Sequence, residues 1–161
     1  MTFRKTYTPQ QAYPKIKHYC SYQERSHAEV KEKLYGFGLR KPEVEELISK
    51  LIEENYLNEE RFSESFARGH FRMKQWGRVK IKYELKQKQV SEYNIQKALS
   101  LIEEDAYLKT LKKLAETKWK SIKTPGVNVY TRVAKTTAYL LQKGYEPVYI
   151  KRVLEEIKSP E

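Results

Sequence analysis

Only one cysteine, Cys20, occurs in the 161 residues, so no disulfide can close within the chain. A chain of this size without such a staple suits a reducing interior, and the cytoplasm is the expected compartment. No apolar run approaches the roughly 18 residues that a membrane span needs. The stretch from Met1 to Gln11 is polar and carries Arg4 and Lys5 with no apolar segment behind them, so neither export nor membrane insertion is expected. The six glycines are scattered, and none belongs to a loop that cradles phosphate. Aspartate is nearly missing: Asp105 is the only one, which leaves no acidic cluster of the kind that holds catalytic metals. Of the three histidines, His18 lies near Cys20, but the paired ligands at set spacing that zinc requires are not there. Cys20 falls four residues after Ile16, on the inner face of a helix, where a thiol acts as a small buried hydrophobe.

Catalytic patterns are equally thin. Glu53, Glu54, Glu59 and Glu60 flank a helix end and a helix start, where solvated glutamates are routine. No serine sits in a glycine-flanked elbow. We expect no enzyme, no cofactor and no metal.

What the chain does have is charge and helix-forming residues. Charged residues make up 33% of the chain and apolar residues 39%, and 32 lysines and arginines oppose 21 acids for a net charge of +11. That excess favours an anionic partner such as nucleic acid or an acidic protein groove. Nearly all the acids are glutamates, which lose little rotamer freedom in a helix.

Ser26 and Glu29 form a capping-box pattern, and Val30 and Leu34 then recur four apart until Gly36 and Gly38. Pro42 and Glu43, Glu45 and Glu46 open a second helix, whose apolar stripe is Val44, Leu47, Ile48 and Leu51. The same phrase returns twice without gaps when Leu34 is set over Leu85 and Leu140. The next columns are then Leu39, Val90, Tyr145; Val44, Ile95, Ile150; Leu47, Ala98, Val153; Ile48, Leu99, Leu154; and Leu51, Ile102, Ile157. Stripes alone can be slid into agreement, but a shared step across the loop requires equal helix and turn lengths in each copy. Gly38 and Gly144 coincide where a left-handed residue closes the helix, whereas Gln89 interrupts that column.

A further helical stretch precedes each pair: Tyr13 to Gln23, Glu59 to Gln75 and Tyr107 to Ile122. The expected fold is therefore all-α, with three tandem three-helix repeats in an elongated, curved row: 1–56 with the N-terminal extension, 57–104, and 105–161. Boundaries are expected near Tyr56 to Asn58 and near Glu104 to Ala106. Val79, Ile81, Tyr83 and Leu85 alternate with polar residues as a strand would, but the repeat register places them on a helix.

Between Phe62 and Lys88, eight cations face Glu64 and Glu84, so more than half of the net charge lies there. Arg68 and Arg72 are four apart, as are Arg78, Lys82 and Lys86, and each series follows one helix flank. With Lys74, these residues are the expected contact ridge, in positioning rather than base-reading roles. Trp76 either stacks on or anchors a partner, or else closes the small core. A second basic stretch runs through Lys109, Lys112, Lys113, Lys118, Lys120 and Lys123, then resumes at Arg132 and Lys135 after the loop from Thr124 to Asn128. Lys112, Lys113, Arg132 and Lys135 are its candidate contacts. Glu43 to Glu60 is acidic, so charge alternates along the chain, as a solvated helical surface also would. The thirteen tyrosines exceed what thin cores need, and Tyr22, Tyr35 and Tyr130 are candidates for an interface.

The run Asn55-Tyr56-Leu57-Asn58-Glu59-Glu60-Arg61-Phe62, followed by Arg68, Gly77-Arg78 and Glu84-Leu85, resembles the RecX family of recombination regulators. The resemblance spans Arg25 to about Ile157 and is most specific from Tyr56 to Val90. Asn58 stands where the family usually has aspartate, Gln75-Trp76-Gly77 is less basic than its counterpart, and Gln89 takes a place often held by glycine. The resemblance implies three-helix modules lying in the groove of a RecA filament and restraining its growth, ATP hydrolysis, strand exchange and repressor cleavage. It also implies only weak binding to single- or double-stranded DNA, and a monomer is expected. The alternative reading is a direct DNA-binding protein of helix-turn-helix type, which would bind bare DNA tightly and with steep salt dependence.

Overall fold

The computed structural model describes residues 5–122 and 126–158; Arg4, Lys123 and the first residues of the expected loop, Thr124 and Pro125, lie outside them. The described residues form nine helices and no strand: α1 (Pro9–Tyr22), α2 (His27–Gly36), α3 (Lys41–Glu53), α4 (Glu59–Lys74), α5 (Arg78–Gln87), α6 (Glu92–Ser100), α7 (Glu104–Ser121), α8 (Val129–Lys143) and α9 (Pro147–Lys158). The strand-like alternation over Val79 to Leu85 is thus helical. Only Ile81 and Leu85 of that set are buried, four apart as a helix requires, while Val79 and Tyr83 face solvent.

Helix starts follow local chemistry. α1 begins four residues before the expected Tyr13 because the Thr8 hydroxyl accepts from the Gln11 N–H (3.1 Å) while the Gln11 side chain accepts from the Thr8 N–H (3.0 Å). Ser26 caps α2 through the Glu29 N–H, Asn58 caps α4 through the Arg61 N–H and Asn128 caps α8 through the Thr131 N–H. α7 starts at Glu104 rather than Tyr107, since Glu104 and Asp105 suit the positive end of the helix dipole.

The aligned apolar columns are core in every copy. All the residues from Leu34, Leu85 and Leu140 through to Leu51 and Ile102 are buried, and only Ile157, near the end of α9, is partly exposed. The turn column is also uniform in backbone terms: Gly38 (φ 86°), Gln89 (φ 62°) and Gly144 (φ 99°) all occupy the left-handed region. Their N–H groups bond to the carbonyls of Tyr35, Lys86 and Leu141, which are equivalent positions. Gln89 therefore adopts the glycine conformation at the steric cost of a Cβ.

By contact density the chain divides into two units. One takes the residues up to Ser65 together with Leu85–Lys97; the other takes Phe66–Glu84 and the residues from Ala98 onward. In the first, Ile16, Val30, Leu34, Val44, Leu51 and Leu57 pack with Cys20, whose thiol is pushed up to about 11 by burial. Such a thiol is inert at neutral pH.

In the second unit, α5 has no capping side chain of its own and takes its acceptors from elsewhere. The Gly77 and Val79 N–H groups bond to the carbonyls of Lys143 and Gly144 (2.8 and 2.9 Å), and the Arg78 N–H donates to the Tyr107 hydroxyl (2.9 Å). That hydroxyl in turn donates to the Glu146 carboxylate. Burial, followed by this bond, raises the Tyr107 phenol far above its ordinary range. Tyr107→Phe, which keeps the ring and removes both bonds, is expected to lower unfolding stability by about 2 kcal/mol in urea titration. A loss below about 0.5 kcal/mol would mean that the hydroxyl does not hold the start of α5.

Candidate functional site

The second unit presents a basic surface built on the C-terminal half of α4. Arg68, Arg72 and Lys74 are exposed there, and no carboxylate among the described residues pairs with them. An aromatic stack runs along α4 and into the turn that follows it. The Phe66 and His70 rings are stacked at 3.9 Å, and His70 meets Trp76 at 4.5 Å. Gln75, in the left-handed conformation (φ 58°), turns the chain sharply after α4, and the Trp76 N–H reaches back to the His70 carbonyl (3.2 Å). Trp76 is neither free nor fully enclosed: partly exposed, it packs on His70 while the ammonium groups of Lys80 (4.6 Å) and Lys74 (5.5 Å) sit over its ring. It thus closes a small core and also floors a cationic surface. Lys80 was the residue not singled out by sequence reasoning. No helical spacing signals it, because Trp76 lies in the turn between α4 and α5 and not on the helix that carries Lys80.

Other candidate residues have different surroundings. The Arg78 guanidinium lies over the Tyr107 ring (3.9 Å), pairs with Glu104 (2.9 Å) and Glu146 (3.8 Å), and donates to the Ile102 carbonyl (3.2 Å), with its side chain 19% exposed. Its charge is spent inside the unit, and Glu104, hydrogen-bonded by Tyr149 and Arg78, is held below the usual carboxylate range. Lys82 is partly exposed on α5. Lys86, on the last turn of α5, belongs to the first unit, is exposed, and lies 3.8 Å from the Glu92 carboxylate. Lys112, Lys113 and Lys135 are exposed on α7 and α8. Arg132 covers the Trp119 ring (4.2 Å) and donates twice to the Trp119 carbonyl (3.0 and 2.8 Å), which fastens the end of α7 to α8. The structure therefore brings Lys74 and Lys80 to Trp76, leaves Arg68 and Arg72 exposed on α4, and engages Arg78 and Arg132 in contacts within the unit.

A succession of three-helix segments bearing this surface matches proteins already described. Residues 58–99 match the second three-helix domain of RecX, and residues 104–154 match the third. A regulatory protein RecX of Vibrio parahaemolyticus is 33% identical over 117 residues, covering 73% of this chain and 72% of that one. This chain belongs to the RecX family. A Clostridium tetani relative, also a regulatory protein RecX, is 32% identical over 136 residues, or 83% of this chain and 61% of the relative. The crystal structure of RecX from Lactobacillus salivarius superposes with a TM-score of 0.83 at 25% identity, covering 93% of this chain and 96% of that one. The chain spans about three fifths of the length of the clostridial RecX proteins it matches.

The stretch that carries the RecX likeness is mostly structural. Leu57 and Phe62 are buried. Arg61 binds the Glu24 carboxylate and both the side chain and carbonyl of Asn55 (3.1 Å each), which stabilises the left-handed turn there. Glu59 accepts from the Asn94 side chain (2.6 Å), and Glu60 pairs with Lys97. Asn58, in place of the usual aspartate, still caps its helix. The family likeness between Tyr56 and Phe62 thus reports how α4 is seated; the charged surface lies further along the same helix.

Proposed function

We propose that this RecX-family chain restrains RecA by docking its basic modules on the RecA-DNA filament, slowing filament growth and the ATP hydrolysis, strand exchange and repressor cleavage that the filament supports. It would act in the cytoplasm, as a monomer and without catalysis of its own, in homologous recombination, DNA repair and the SOS response. The modules are the three-helix stretches 1–56, 57–104 and 105–161, whose separate weak contacts gain strength through effective concentration. The observation that carries the reading is the exposed set Arg68, Arg72 and Lys74 on α4, unpaired with any carboxylate among the described residues, with Lys74 and Lys80 over the Trp76 ring. Unpaired cations next to an aromatic platform suit an anionic polymer or a polar interface with a buried anchor. Lys82, Lys86, Lys112, Lys113 and Lys135 would add positioning contacts.

Titrating the full chain into single-stranded-DNA-dependent ATP hydrolysis by RecA tests this directly. The rate is expected to fall as the chain is added, while gel shifts with DNA alone stay weak. Tight, salt-steep binding to bare duplex with an unaltered RecA rate would favour the direct DNA-binding reading instead.

A further inference from the structure

A second cation-lined surface lies within the first unit, in an open groove of about 520 Å³ between α1, α2 and the segment before α1. Its volume falls within the range of about 300–1,000 Å³ usual for ligand clefts, too large for a packing defect. Its walls are the rings of Tyr7, Tyr19, Tyr22 and Phe37, and its cations are Lys15, Arg25 and Lys33. No carboxylate among the described residues lines it. Glu29 and Glu32 line an adjoining depression that shares Tyr19, Lys33 and Phe37.

The groove is braced. The Tyr7 N–H donates to the Phe37 carbonyl (2.9 Å), and the two rings meet edge to face at 5.3 Å. Arg25 is held by the Tyr19 carbonyl (3.0 Å) with its guanidinium 3.8 Å above the Tyr19 ring. Lys15 stands over Tyr7 (5.0 Å), and Lys33 stands over both Tyr19 and Phe37 (5.3 and 5.7 Å). None of the three cations is paired with a carboxylate among the described residues. Tyr22, at the end of α1, is 78% exposed, so core packing does not account for it.

We propose that this groove in the first repeat binds single-stranded nucleic acid, a base stacking on Tyr22 while Lys15, Arg25 and Lys33 take the neighbouring phosphates. Aromatic faces interleaved with cations are the chemistry that holds a single strand without reading its sequence. A duplex keeps its bases stacked within itself and leaves Tyr22 unused. An acidic peptide would use the cations and leave the rings idle. The open form suits a chain passing through it better than an enclosed small molecule. The inference does not rest on docking to RecA, since it concerns strands free of any other protein.

The test is fluorescence anisotropy of the full chain with a labelled oligothymidylate of about ten nucleotides, within the usual span of such sites. A duplex of equal length, a glutamate peptide and free ADP serve as competitors. Tyr22→Ala is expected to weaken the oligonucleotide about tenfold. Lys15→Gln with Lys33→Gln is expected to lower the slope of log affinity against log salt by about 1.4, for two lost phosphate contacts. Circular dichroism should remain that of the parent, since all three side chains are exposed. Parental affinity and slope in these variants would overturn the proposal, as would preferential competition by the duplex, the peptide or ADP. Loss of RecA inhibition with intact oligonucleotide binding would concern only the filament reading.

Discussion

Charge reversal at Arg68, Arg72 and Lys74 together is expected to raise the concentration needed to restrain RecA-driven ATP hydrolysis about 100-fold or more. The three side chains are exposed and lack carboxylate partners among the described residues, so replacing them with glutamate breaks no ion pair, removes only the 5.5 Å contact of Lys74 with the Trp76 ring, and should not alter helix content. Each reversal removes an attraction and installs a repulsion, and like-charge juxtaposition at an interface costs several kcal/mol. A 100-fold change requires only about 2.8 kcal/mol across the three. Lys112→Glu with Lys113→Glu on α7 is the companion variant; a much smaller effect there would locate the contact on α4. An unchanged half-inhibiting concentration for the triple variant, measured with parental circular dichroism, would remove the α4 surface from the mechanism.

The largest expected loss of stability comes from a position with no side chain. A Cβ on Gly77 would stand 2.3 Å from the Gly144 carbonyl oxygen, 2.4 Å from its carbon and 2.7 Å from the Tyr145 nitrogen. These are backbone atoms and cannot rotate away. Relief requires moving α5 off the α8 to α9 turn, which breaks the Gly77 to Lys143 and Val79 to Gly144 hydrogen bonds. Gly77→Ala is therefore expected to cost about 3–5 kcal/mol, a large share of the roughly 5–15 kcal/mol that stabilises an ordinary domain. Urea unfolding would read this as a shifted midpoint. Gly69→Ala is the control: it lies within α4 with nothing within 4 Å of its Cβ, and should gain up to about 1 kcal/mol. A Gly77→Ala loss under 1 kcal/mol would show that this backbone contact can relax freely.

Gly77-Arg78 also shows how far sequence reasoning reached. The pair stood out as part of the RecX resemblance, and Arg78 carried a charge at the right spacing for the contact ridge. Nothing in the linear pattern indicated that Gly77 meets Gly144, or that Arg78 meets Tyr107, Glu104 and Glu146. Those partners are 26 to 68 residues away, and periodicity carries information over only a few turns. Arg132 repeats the lesson, since its partner Trp119 lies on the preceding helix. Charge spacing locates cations on a helix flank but does not distinguish those bound internally from those left exposed.

The repeat columns were legible because burying one face of each short helix imposes a local spacing that survives changes of residue. Even where Gln89 replaces glycine, the backbone keeps the left-handed turn because the flanking Leu85 and Val90 are both buried and must remain so. Thr136 is the exception that the pattern missed. It occupies the column of Val30 and Ile81, fully buried, with its hydroxyl satisfied by the Arg132 carbonyl of its own helix (2.9 Å).

The sequence by itself determined the helices, their caps, the apolar columns and the excess of positive charge, because each depends on residues within a turn or two of one another. Tertiary structure alone decided which cations remain unpaired, how α5 finds acceptors for its first N–H groups, and that four rings and three cations converge on one groove. Those outcomes depend on which distant segments share a surface, where a carboxylate or carbonyl within about 3 Å decides whether a charge is satisfied internally or left for a partner.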